Sequence, residues 1–257
     1  CMPSEAHPNP VVLAHGAAGN MIMAWITMAP LLKNNGYCVF ALNYGVPEGS
    51  PWPLSLFGGR SPMEHSAVEF AAFVDEVLAA TGADKVDIVG HSEGSLMPNH
   101  YVKFLGGAAK VDKYIGLTPL WNGSQLLGLH ELNRLARLLG FGPIIDGVGN
   151  ALFPAALQFL AGSQFLVNLS SGGGPAVPGV TYTNVMTRYD GAVVPHTSGQ
   201  MAPAPNVTNV VLQDICWQDF SGHGMVAFSP NAAQVVLNAL DPANATTVRC
   251  RFVPPSP

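Results

Sequence analysis

Charge is what this sequence has least of. Only 11% of its 257 residues are Asp, Glu, Lys or Arg, and the net charge is -5. A polyanion needs a clustered basic footprint, so no nucleic-acid partner is expected. A disordered chain is excluded from the other side, because hydrophobic residues reach 48% and supply ample surface for a core. Long clean apolar runs are missing too. The uncharged stretch from Gly147 to Thr187 is broken by Pro154, Gly162 and "SSGGGPAVPG", well short of the roughly 20 apolar residues of a membrane span. No transmembrane segment is expected.

Cysteine is sparse but even in number. Cys1, Cys38, Cys216 and Cys250 form neither a C-x-x-C pair nor a zinc spacing, so no metal is expected and disulfides are. Of the three possible pairings the two local ones are favoured, Cys1 with Cys38 and Cys216 with Cys250, each closing a loop worth about 3 to 4 kcal/mol in the chain-entropy model. Disulfides imply an oxidising compartment, and secretion is the expectation, with Cys1 standing where a trimmed leader would end.

What the sequence does have is a rhythm. "VVLAHG" reads as a buried strand, and "AWITMAPLLKNNG" as a helix through Trp25, Met28, Leu31 and Leu32, stopped by Gly36. "YCVFALNY" is a second strand, "GVPEGSPWPLSLFGG" a loop, and the next helix carries Val68, Phe73, Val77 and Leu78 on its apolar face. "KVDIVG", "VDKYIGLTPL", "TYTNVMTRY" and "NVVLQDI" are further strands, with helices at "MPNHYVKFLGG" and "NAAQVVLNAL". This alternation predicts the α/β class: a mostly parallel sheet, helices on both faces, and ligands at the carboxyl ends of the strands. One domain, 1–257, is expected, with residues 121–178 as a helical cap or lid insertion. Inside it, Leu152, Phe153, Leu157, Phe159, Leu160, Phe165 and Leu166 would either wall an acyl chain or pack as ordinary core.

One short motif stands where a strand becomes a helix: "KVDIV-GHSEG-SLMPNHYVKFL". G-x-S-x-G in that context is a nucleophile elbow, in which a strained turn projects the Ser92 hydroxyl into a cleft and flanking glycines relieve the crowding. A serine needs a base, and the base a third group to fix its tautomer. Asp190 follows "TYTNVMTRY" at a strand end, and His223 lies in the glycine-flanked loop "FSGHGMV", giving the order Ser, Asp, His. Asp214 and Asp219 are rivals for the acid and His196 for the base. His15 and His91 read as structural, and His7, His65, His100 and His130 as surface or packing residues.

An oxyanion needs two backbone donors. The amide of Glu93 is one candidate; Ala17 in "HGAAGN" is the other, with Ala18 next. A carboxylate at Glu93 would repel a developing oxyanion, so its side chain is expected to turn away to a donor.

"VVLAHG" with its downstream "GY" strand, "KVDIVGHSEGSLMPNHYVKFLGGAAKV", "YD" followed by "VVP", and "LQDIC" resemble the secreted bacterial lipases of the class 2 family over nearly the whole chain. The resemblance implies an α/β-hydrolase fold, a triad at Ser92, Asp190 and His223, and hydrolysis of hydrophobic esters, possible at a lipid–water interface, without cofactor. A monomer is expected. Glu93 and Ser95 stand where such lipases commonly carry Gln and Gly, and "TPLWNGSQLLGL" replaces a usual "P-x-x-x-G-T"; these departures bear on substrate preference, and "NGSQ" reads as a possible cap hinge. Three alternatives remain open: an acyltransferase or cyclase using the same acyl-enzyme, a polyester or cutin hydrolase, and a non-catalytic scaffold.

Overall fold

The computed structural model describes residues 1–125 and 153–255. Within them six strands, β1 (Val11–Ala14), β2 (Val39–Ala41), β3 (Val86–His91), β4 (Val111–Leu117), β5 (Thr181–Met186) and β6 (Val207–Val211), form one sheet in the order β2-β1-β3-β4-β5-β6. Every neighbouring pair is parallel. Helices cover both faces, as parallel strands require: α1 (Met21–Trp25), α2 (Met28–Asn34), α3 (Met63–Thr81), α4 (Glu93–Phe104), α5 (Pro154–Gln158), α6 (Gln164–Leu169), α7 (Leu212–Ile215) and α8 (Pro230–Leu240).

Strand alternation divides the core in two. Val12, Ile88 and Tyr114 face Phe70 and Val74 of α3, Leu96 of α4 and Phe165 of α6. Val11, Leu13, Val89 and Ile115 face Trp25 of α1, Leu32 of α2 and Val236 of α8. Burying each such side chain contributes roughly 1.5 to 3 kcal/mol.

Local pattern misplaces three details. The apolar face of α3 is Phe70, Val74 and Val77, whereas Val68 is exposed. "NVVLQDI" does not continue as a strand: β6 stops at Val211, and α7 forms because Gln213 turns inward to bond Thr187 Oγ1 and the Asp219 carbonyl. "YCVFALNY" keeps only three residues in the sheet, since Tyr44 leaves it to donate its hydroxyl to the His15 carbonyl at 2.5 Å.

Both local disulfides are present, Cys1–Cys38 and Cys216–Cys250. Of the expected cap, residues 126–152, including the "LHELNRLARLL" helix, His130 and Leu152, lie outside the described residues. The described part is tied to the sheet: Gln158 accepts from the Met63 amide at 2.7 Å and donates to Glu64, and Lys103 donates to the Leu169 and Gly174 carbonyls. Leu160, Phe165 and Leu166 are buried, and Phe165 and Leu166 belong to the α3–α4 core. "NGSQ" is likewise bonded on both sides, through Asn122 to the Ser198 and Gln200 carbonyls and through Ser124 to the Ala192 carbonyl.

Candidate active site

Ser92 sits between β3 and α4 with φ 55° and ψ -121°, a backbone conformation that L side chains rarely adopt. The two flanking glycines make it possible. A Cβ on Gly90 would lie 1.8 Å from the Gly94 carbonyl oxygen, and one on Gly94 would lie 2.1 Å from that of Ala14. The elbow is held open from the sheet as well, since the Ser92 amide donates to the Leu117 carbonyl at 2.9 Å.

Three residues far apart in sequence meet here. Ser92 Oγ is 2.9 Å from His223 Nε2, and His223 Nδ1 is 2.9 Å from both carboxylate oxygens of Asp190. Asp190 follows β5 in a turn that its own Oδ1 stabilises, accepting the amides of Ala192 and Val193 at 2.9 and 2.7 Å. Its side chain is almost fully buried, whereas that of His223 is one-fifth exposed. With Nδ1 donating to the carboxylate, Nε2 carries a lone pair toward the serine, the tautomer a general base needs.

The rivals have other employment. Asp214 is exposed and pairs with Arg188. Asp219 is buried and accepts from the Ser221 amide and hydroxyl, Ser229 Oγ and Asn231 Nδ2, bracing the loop that carries His223. The nitrogen at Ser92 Oγ belongs to His223; His196 opens a short turn at His196–Gly199. His91 does more than fill a glycine turn: its Nε2 donates to the His223 carbonyl at 3.0 Å. His15 is fully buried, stacks on Tyr44 at 4.3 Å and donates from Nδ1 to the Gly16 carbonyl at 2.8 Å. His7 stacks on Tyr37, and His100 on Phe165.

The loop after β1 packs directly on the elbow. A Cβ on Gly16 would lie 3.2 Å from Ser92 Cβ and 3.1 Å from His91 Nδ1. Ala17 follows, partly exposed, and Ala18 next to it has φ 49°. Glu93 begins α4 and is fully buried. The expected donor for its side chain is not there: among the described residues neither carboxyl oxygen has a hydrogen-bond partner. Burial pushes its pKa well above the usual carboxyl range, a shift toward the neutral acid that lessens the anticipated repulsion of an oxyanion.

Residues 8–122, which contain β1, the elbow and the loop between them, match the model of the lipase (class 2) family. In this segment, a little under half of its length, the chain is similar to the class 2 lipases. It is 35% identical over 92 residues to triacylglycerol lipases of Pseudarthrobacter phenanthrenivorans and Burkholderia plantarii, a span that covers 34% of this chain. The same span covers 26% and 23% of those two proteins, so the chain matches about a quarter of the length of these curated relatives. Similarity of fold reaches further. Aspergillus fumigatus lipase B superposes with a TM-score of 0.72 at 19% identity, over 99% of this chain and 61% of that one. Mature Bacillus licheniformis lipase BlEst2 gives 0.65 at 19% identity, over 93% and 94%. The fold is that of the α/β-hydrolases.

The matched family segment ends before Asp190 and His223. Their juxtaposition with Ser92 is therefore an observation of the structure, independent of the family match.

Proposed function

We propose that this chain is a secreted serine carboxylic-ester hydrolase acting on hydrophobic esters through an acyl-enzyme. The observation that carries the proposal is the relay from Ser92 Oγ through His223 to Asp190, each step at 2.9 Å. Ser92 attacks the acyl carbonyl while His223 Nε2 takes its proton; the imidazolium, steadied by Asp190, returns that proton to the leaving alcohol. The negative charge on the former carbonyl oxygen faces the amides of Ala17 and Glu93. Water, deprotonated by His223, then attacks the acyl-enzyme and frees the acid. The chemistry requires no cofactor. Two disulfides support the extracellular assignment, and residues 121–178 are the segment we assign as cap.

A lipid–water interface as the working surface has its own support. Ile22, Met23 and Ile26 on and beside α1, together with Trp52, Leu54 and Leu56, are exposed, Trp52 by 80%. The two groups are stitched by Asn20 Nδ2 donating to the Leu56 carbonyl and by the Gly58 amide donating to the Gly19 carbonyl. No charged residue falls between Gly16 and Leu32. Contiguous exposed apolar surface of this kind is a recognition surface, and an exposed Trp suits a wet–apolar boundary. The test is an ester chain-length profile measured above and below substrate solubility. Rates that rise once an emulsion forms, and that fall back in Trp52→Ser on emulsions but not on soluble esters, are expected. A profile confined to soluble short-chain esters contradicts the interfacial assignment.

A further inference from the structure

Beneath the elbow lies a group of buried polar atoms that the proton relay does not use. Glu93 Oε1 and Oε2, His15 Nε2 and Ser66 Oγ are all buried without a hydrogen-bond partner among the described residues. They converge on three glycines. A Cβ on Gly59 would lie 2.9 Å from Glu93 Oε2, one on Gly58 would lie 3.2 Å from His15 Nε2, and one on Gly45 would lie 2.6 Å from Ser66 Oγ and 3.1 Å from the Gly59 amide nitrogen. Unpaired polar atoms cost free energy singly, yet these are complementary. Because His15 donates from Nδ1 to Gly16, its Nε2 offers a lone pair; a carboxylic acid at Glu93 offers a proton.

We propose that the Glu93 side chain is a positioning residue, which as a hydrogen-bonding carboxylic acid donates toward His15 and so fixes the Gly16–Gly19 loop against Ser92. Since neither group has a direct partner, the hydrogen bond runs along one shared water, a polar site of this kind being where internal water is held. The mechanical link is on the same glycines: the Gly58 amide donates to the Gly19 carbonyl at 2.8 Å, and a Cβ on Gly59 would lie 3.0 Å from Ala17 Cα. Glu93 thus holds from below the loop whose amide is assigned to the oxyanion. This deepens the hydrolase reading and rests on it.

The role depends on protonation. Burial raises the Glu93 pKa and lowers that of His15, so burial favours the neutral form of each. Among the described residues no cation is bonded to Glu93. Tyr44 follows β2, Glu69 on α3 binds the Gly45 amide, Tyr114 on β4 donates to the Ser95 carbonyl, and His91 and His223 lie on the Ser92 side. Arg60, beyond Gly59, gives its guanidinium to the Phe57 and Leu54 carbonyls and Ser50 Oγ. Ionising Glu93 at alkaline pH therefore breaks the arrangement.

The test compares Glu93→Gln, which keeps a donor but cannot ionise, with Glu93→Leu, which keeps volume alone, in kcat, KM and pH profile. Gln is expected to retain at least about tenfold more kcat than Leu at pH 7 and to abolish the wild-type alkaline loss, while Leu lowers kcat at least about tenfold below wild type with KM little changed, as a displaced loop would. A Leu variant with wild-type kcat, or a Gln variant that retains the wild-type alkaline limb, overturns the proposal; should Leu not fold, the Gln profile decides alone. A readout without turnover accompanies it. A carboxyl whose folded pKa is raised contributes stability that is complete below its unfolded value, about 4.3, and lost as pH rises through the folded one. The Tm of Glu93→Gln should therefore gain on wild type as pH increases, and a pH-independent difference contradicts the neutral acid. An inactive wild type would sink the hydrolase reading while leaving this stability comparison to judge Glu93.

Discussion

His91 Nε2 donates to the backbone carbonyl of His223 at 3.0 Å, so the residue before the candidate nucleophile holds the main chain of the candidate base. Burial, and next the neighbouring His223, lower the His91 pKa from 6.5 to about 4. The sign follows from linkage: over that window the unfolded chain binds the proton and the folded one does not, so stability rises with pH. His91→Asn should lack this contribution. Its Tm deficit relative to wild type is expected to be largest above pH 6.5 and to shrink toward pH 4; a deficit that stays constant across the window contradicts the assignment of a neutral His91.

Asp190→Asn tests the orienting role separately from folding. Asn keeps one oxygen for the Ala192 and Val193 amides, but its NH2 facing Nδ1 forces the proton onto Nε2, the wrong nitrogen for a base. A loss of kcat on the order of 10⁴ is expected. Asp214→Asn, which removes only an exposed pair with Arg188, should change the rate less than about twofold. Similar losses in the two variants would argue against Asp190 as the acid.

The elbow predicts its own intolerance. Gly94→Ala places a methyl 2.1 Å from the Ala14 carbonyl oxygen, backbone against backbone, where no side chain can yield. Destabilisation of about 3 kcal/mol or more is expected by chemical denaturation, whereas Gly172→Ala, with no atom within 4 Å but φ +66°, should cost only about 1 kcal/mol from its left-handed conformation. Equal costs would contradict the packing described.

What could be read from the sequence and what could not divide along one line. The elbow is local: strand, glycine, serine, glycine and helix adjoin in the chain, and strand order favours Asp190 and His223 while leaving Asp214, Asp219 and His196 as rivals. Features set by distant neighbours were illegible. Nothing in the periodicity of α3 distinguishes Val68 from Phe70, because a moderately apolar helix is turned by what it meets. "LQDI" reads as strand until Gln213 finds Thr187 and Asp219 across the fold. The sequence leads one to expect a donor for Glu93, yet Gly59 comes against its Oε2 instead, and no spacing rule connects the two. His91 looked structural in its own turn, and only the return of the chain 132 residues later gives it the His223 carbonyl.

The central claim is that the Ser92 hydroxyl, activated by His223, is the attacking group. Hydrolysis of a p-nitrophenyl ester by Ser92→Ala, compared with wild type at equal folded concentration, tests it most directly. A fall in kcat of at least about 10³-fold with an unchanged Tm is predicted; turnover retained at the wild-type level would contradict it.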